Sequence, residues 1–121
     1  MKQPNAVQKQ WMKDVAEWAY QELGCLYDGY CGDSFELHHV VGRSAKHNKV
    51  AIGHEFIIPV PTELHNVMSN HPDNVTHFKK NFVKRFGSQS SLFVAMIISM
   101  GELGYVGPSD EVINAIQDTR A

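Results

Sequence analysis

Apolar residues recur at helical spacing along residues 5–24, where Val7, Trp11, Val15, Trp18 or Ala19, and Leu23 form one stripe and Gly24 supplies the stop. The following stretch is turn-rich, broken by Gly29, Gly32 and Asp33. Two short apolar runs, FELHHVV (35–41) and EFIIPV (55–60), predict strands, and Pro59 marks an edge position or the end of the second. The segment between them is polar, flexible and basic. Pro61 and Thr62 predict the start of a short helix holding His65 near its N-terminus, and Pro72 predicts its end. Residues 73–87 predict an amphipathic helix, with Val75, Phe78, Phe82 and Phe86 on one face and His77, Lys80 and Lys84 on the other. Residues 88–104 are apolar nearly all round, which predicts a buried helix or part of a subunit interface. A last short helix is expected over 108–120, with Ser109 as its N-cap. The expected class is α+β.

With 121 residues, the chain has room for one domain and one modest core. Its 43% apolar and 20% charged content is that of an ordinary globular protein. The longest apolar run, Leu92–Ile98, is too short to span a bilayer, and the polar N-terminus has no signal-peptide pattern. A soluble cytoplasmic protein with no membrane partner is expected. Cys25 and Cys31 are too few for a disulfide framework and are expected as reduced thiols. A net charge of −2 argues by itself against strong nucleic-acid binding. The distribution changes that picture, because residues 37–90 carry seven Lys/Arg against three acids. A basic island lies between acidic ends.

The histidines concentrate in the same island. Imidazole is a common metal ligand and the usual general base near neutral pH. Phosphodiester hydrolysis needs a base to take a proton from water and a cation to stabilise charge on the phosphoryl and departing oxygens. His38 and His39 in a strand, with His65 at a helix start, could supply both if the strands form a hairpin and the helix packs across it. Adjacent strand residues point to opposite faces. His38 and His39 therefore share one site only where the strand ends or distorts, or where the phosphate lies between them. The ordinary alternatives are a half-exposed histidine pair without a role, a solvated Lys80/Lys84 face, and Trp11 and Trp18 as core.

The segment ELHHVVGR…GHEFIIPVPTELHN resembles the HNH, or ββα-metal, endonucleases, and most of all the phage recombination-enhancement nucleases of the Ref type and related prophage HNH proteins. The likeness covers residues 22–87. It implies one HNH-like nuclease domain over 1–121, with a core at about 22–87 and a helical extension over 88–121. The implied activity is metal-dependent DNA cleavage, phage or prophage encoded and linked to recombination, in a bacterial host cell. One divalent ion, zinc, magnesium or manganese, is the implied cofactor. His38 and His65 match metal ligands, His39 the general base, and His54 a residue that orients the base or completes the site. A third helix ligand would fall on Ser69, which leaves His71 as the candidate. Arg43, Lys46, Lys49, Lys80 and Lys84 are the expected DNA contacts, and a recombinase filament or single-strand-binding protein is the further partner implied. The structural zinc knuckle of many relatives is expected to be lost: Cys25 matches its first ligand, but Asp28, Pro61 and Leu64 stand at the others. Whether Cys31 contributes to a partial site stays open. The rival reading is a non-catalytic nucleic-acid or protein-binding adaptor that keeps the ββα fold, suggested by the acidic net charge, the missing helix ligand and the lost knuckle.

Overall fold

The structure, a computed structural model, describes residues 3–121. Helix α1 (Ala6–Glu22) opens on a capping box in which the Asn5 side chain accepts from the Gln8 N–H and the Gln8 side chain accepts from the Asn5 N–H. Trp11, Val15, Trp18 and Ala19 bury one face of this helix, as the spacing predicts, whereas Val7 at the start of the stripe is exposed. Leu23 is buried in a short 3-10 turn (Leu23–Cys25) that closes the helix. Both tryptophans belong to the core, and their indole N–H groups are satisfied there: Trp11 donates to the Glu55 carbonyl and Trp18 to Ser99 Oγ, each at 3.0 Å.

Strand β1 (Phe35–His39) pairs antiparallel with β4 (Ile57–Pro61), His38 facing Ile58 and His39 facing Ile57. Between them, β2 (Lys46–His47) and β3 (Val50–Ala51) form a small hairpin inside the segment expected to be irregular. Asn48 and Lys49 turn it with φ of 50° and 68°, the left-handed pair that a tight hairpin needs. The hairpin docks on the last helix, where Asp118 accepts from Asn48 and pairs with His47 Nε2 at 2.8 Å.

Every residue of β4 is buried, yet it has only one strand neighbour. The two prolines explain how. The Val40 N–H bonds to the Phe56 carbonyl and the Thr62 N–H to the Ser34 carbonyl, so even-numbered residues of β4 carry the ladder. Pro59 and Pro61 fall on the alternate positions, whose N–H groups would point away from β1, so no ladder donor is missing. The outward carbonyl of Pro59 is taken by the buried Tyr27 hydroxyl at 2.6 Å. Burial also holds the Tyr27 phenol far above its ordinary pKa, so it is a permanent donor.

Helices α2 (Thr62–His65), α3 (Lys79–Phe86), α4 (Gln89–Glu102) and α5 (Asp110–Thr119) complete the mixed α+β fold of five helices among the described residues. The helix expected over 73–87 is cut to its second half. Asn74, fully buried, accepts from the Thr76 and His77 N–H groups and donates to the Asn66 carbonyl. A side chain that supplies those backbone partners replaces helical bonding with a bonded loop. Val75 is still buried, but Phe78 is left half-exposed ahead of α3. Helix α4 buries Leu92, Phe93, Met96 and Met100 but bares Ile98, so of the two expectations a helix buried all round within the chain is not met. Helix α5 begins at Ser109, whose Oγ accepts from the Val112 N–H. No helix of the described residues is long and apolar enough to cross a membrane.

The Tyr27–Pro59 bond gives a direct test of this arrangement. Tyr27→Phe keeps the ring and removes only the donor, leaving a buried carbonyl unpaired. It should lower the unfolding free energy by about 1–3 kcal/mol in urea titration with an unchanged slope. An unaltered midpoint would mean that the Pro59 carbonyl finds another partner.

Candidate active site

Alternation along β1 sends Glu36 and His38 to one face and His39 to the other. On the first face, α2 begins directly after β4 and its last residue, His65, meets both. His65 Nδ1 contacts a Glu36 carboxylate oxygen, and His65 Nε2 lies 3.1 Å from His38 Nδ1. A carboxylate can only accept, so Glu36 fixes His65 with its proton on Nδ1 and leaves the Nε2 lone pair facing His38. The rings meet edge to face, 4.9 Å between centroids.

His38 is held neutral. Its pKa falls to about 4, first through burial and then through the positive charge His65 would carry, with smaller pushes from His39 and Lys79. Gln89, at the start of α4 and 3% exposed, meets His38 through its side-chain amide and pushes the pKa the other way, without offsetting burial.

On the other face His39 meets His54, ring centroids 5.7 Å apart and planes nearly perpendicular. Burial lowers the His39 pKa, and Arg43 and His54 push the same way. His39 Nε2 is buried without a hydrogen-bond partner among the described residues. His54 is 3% exposed and follows Gly53, where a side chain would strike the Arg43 carbonyl at 2.1 Å. Glycine is thus required to fold the basic loop back against His54. The arrangement is two imidazole pairs flanking the end of β1, as strand alternation requires of His38 and His39.

His71 does not join either pair. Its Nδ1 accepts from the Asp73 N–H at 3.0 Å and its Nε2 faces Glu63 at 3.7 Å, because the Asn74-bonded loop carries it away from the end of α2. Among the described residues, no three of His, Cys, Asp and Glu are grouped to hold a metal ion. Cys25 and Cys31 are exposed, each bonded to a nearby carboxylate, Glu22 and Asp33 respectively. Leu64 is fully buried where the knuckle's fourth ligand would stand. Of the expected phosphate contacts, Lys46 belongs to the hairpin and lines a cavity with Arg43 and His54, Lys49 lies in the hairpin turn, and Lys80 and Lys84 are exposed on α3. Arg43 also sits close enough to His39 to shift its charge.

Three participants escaped the sequence reading. Glu36 was available to it, since a residue two before His38 in a strand shares its face. Lys79 and Gln89 carried no local signal, because they reach His38 only through the packing of α3 and α4. No protein-family profile, no curated protein and no solved structure matches this chain.

The neutral state of His38 sets a pH dependence. Folded, it takes a proton only near pH 4; unfolded, near 6.5. The unfolded chain therefore binds more protons in that window, so the stabilisation is complete above 6.5 and is lost as pH falls towards 4. Thermal melts of wild type should show this loss, and His38→Gln should flatten the slope by close to one proton. Parallel slopes would mean that His38 is protonated in the fold.

Proposed function

We propose that the chain is a metal-dependent endonuclease of the HNH, or ββα-metal, type, hydrolysing phosphodiester bonds in DNA. The observation that carries this reading is the convergence of His38 Nδ1 and His65 Nε2 at 3.1 Å, with Glu36 fixing the second ring. Two nitrogens at metal–ligand distances of about 2.0–2.1 Å stand roughly 3 Å apart when they occupy neighbouring corners of a coordination sphere. The donor set fits two such corners. Water and a phosphate oxygen would take the rest, since His71 is engaged elsewhere. Gln89 Oε1 adds to the fit as the acceptor available to His38 Nε2–H once Nδ1 is a ligand.

A divalent ion at this pair, zinc, manganese or magnesium, would stabilise charge on the phosphoryl and leaving oxygens. The protein's own part is to position and to move a proton. With the phosphate across the end of β1, His39 takes a proton from water, the water oxygen bonds to phosphorus, and the bond to the departing sugar oxygen breaks. His54 orients the His39 ring. Arg43 and the hairpin lysines hold the backbone on one side and Lys79 on the other. The likeness to Ref-type proteins supports a phage or prophage origin and a recombinase filament as partner.

A second reading has its own support. The lack of a third metal-capable side chain among the described residues favours a non-catalytic adaptor that binds nucleic acid or protein through the same framework. Plasmid nicking with added zinc, manganese or magnesium separates the two. Wild type should nick, and His39→Ala should lose about 10²–10⁴-fold in turnover while keeping metal binding. Calorimetric titration should show metal affinity falling sharply in His65→Ala. Metal binding without nicking would leave the adaptor reading.

The basic helix face is tested separately. Replacing Lys80 and Lys84 with alanine should reduce the slope of log affinity against log salt by about two, one for each phosphate that is no longer neutralised. A wild-type slope would leave both side chains merely solvated.

A further inference from the structure

Helix α2 ends at His65, and the next residues build an apolar tip. Val67 is 64% exposed and Met68 is 88% exposed. Exposed tips are ordinarily small, polar and mobile. This one is apolar and is fastened from several directions. The Met68 N–H donates to Asn66 Oδ1 at 2.8 Å and the Ser69 N–H to the Asn66 carbonyl at 3.0 Å. Ser69 Oγ donates to the Glu63 carbonyl at 2.7 Å, tying the far side of the turn to α2. From the loop ahead of α3, Asn74 donates to the Asn66 carbonyl, Thr76 to the His65 carbonyl and His77 Nε2 to the Val67 carbonyl. The backbone is fixed while the two apolar side chains are left bare.

We propose that Val67 and Met68 form a wedge that inserts between stacked bases of duplex DNA beside the bond to be cut. This rests on the endonuclease reading. Position argues for a base stack as the occupant. Three peptide units separate Met68 from His65, so their Cα atoms lie within about 11 Å, or roughly three base steps along a strand. A wedge at that distance enters the same stretch of strand whose phosphate meets the histidines. The loop that fastens the tip leads on to the exposed Lys79 and Lys80 at the start of α3. Rigidity supplies the rest, since prying apart a base step costs a few kcal/mol and a fastened tip loses little entropy on entry.

The test uses a metal-loaded protein and a duplex with 2-aminopurine at successive steps around a nicked position. Wild type should raise the fluorescence at one step within about three of the nick, reporting unstacking there. Val67→Ser/Met68→Ser should abolish that rise and weaken duplex binding by about tenfold to a hundredfold, the range that burial of one such side chain supplies. His39→Ala should keep the rise, since the wedge acts before the chemistry. A wild type that binds and nicks without any rise, or a double variant with an undiminished rise, overturns the wedge and leaves the endonuclease reading standing. A wild type that neither binds nor nicks the duplex overturns that reading and the wedge with it. Binding to anionic phospholipid vesicles that disappears in the double variant, without a fluorescence rise on DNA, assigns the tip to a membrane and likewise overturns the wedge.

Discussion

The site hangs from β4, and β4 holds its place through its prolines. A strand buried on every residue with one strand neighbour leaves a row of outward backbone groups that must be satisfied or absent. Pro59 and Pro61 remove two of the donors, and Tyr27 takes the carbonyl of Pro59. Pro59 and Pro61 keep the odd-numbered residues of β4 pointing away from β1, and a one-residue slip of β1 along that edge would turn His38 to the opposite face. The placement of His38 under α2 therefore depends on the strand register as much as on the histidines.

That constraint explains why one doublet serves two sides. His38 and His39 are consecutive in a regular strand, so their rings part, and each finds a different histidine: His65 from the helix after β4, His54 from the loop before it. Both partners are delivered by the ends of β4. The end of β1 thus carries an imidazole pair on either face, and on the proposed nuclease reading a phosphate would have to lie across the strand end to meet both.

Much of this was legible before the fold. The helical stripe of α1 and the Ser109 cap of α5 appear where their spacing puts them, since amphipathic period and capping are local signals. The two strands were legible to within two residues at each end. The loop of 66–78 was not. Its hydrophobic pattern fits a helix, but Asn74 accepts from the nearby Thr76 N–H while donating across to the Asn66 carbonyl after α2, and that second partner exists only once α2 is in place. The hairpin of 46–51 was hidden for a related reason: strands of two residues carry no period, and the His47–Asp118 pair that docks them spans most of the chain. His71 is placed by the same loop, facing Glu63 and the Asp73 N–H rather than His65.

The His38–His65 contact is also the point where the fold is least settled electrostatically. Glu36 turns the His65 Nε2 lone pair towards His38, so the second nitrogen must offer a proton, or a cation must lie between them. Burial keeps His38 from carrying two protons, which leaves one proton to divide between its two nitrogens. Placed on Nδ1, that proton bonds to His65 and Gln89 Oε1 has no imidazole donor. Placed on Nε2, it can serve Gln89, but then two lone pairs oppose each other at 3.1 Å. The first arrangement is relieved when the Gln89 amide turns an N–H towards the His38 Nε2 lone pair, since an amide offers donors as well as an acceptor. On the proposed nuclease reading, a cation that accepts both lone pairs would relieve the second.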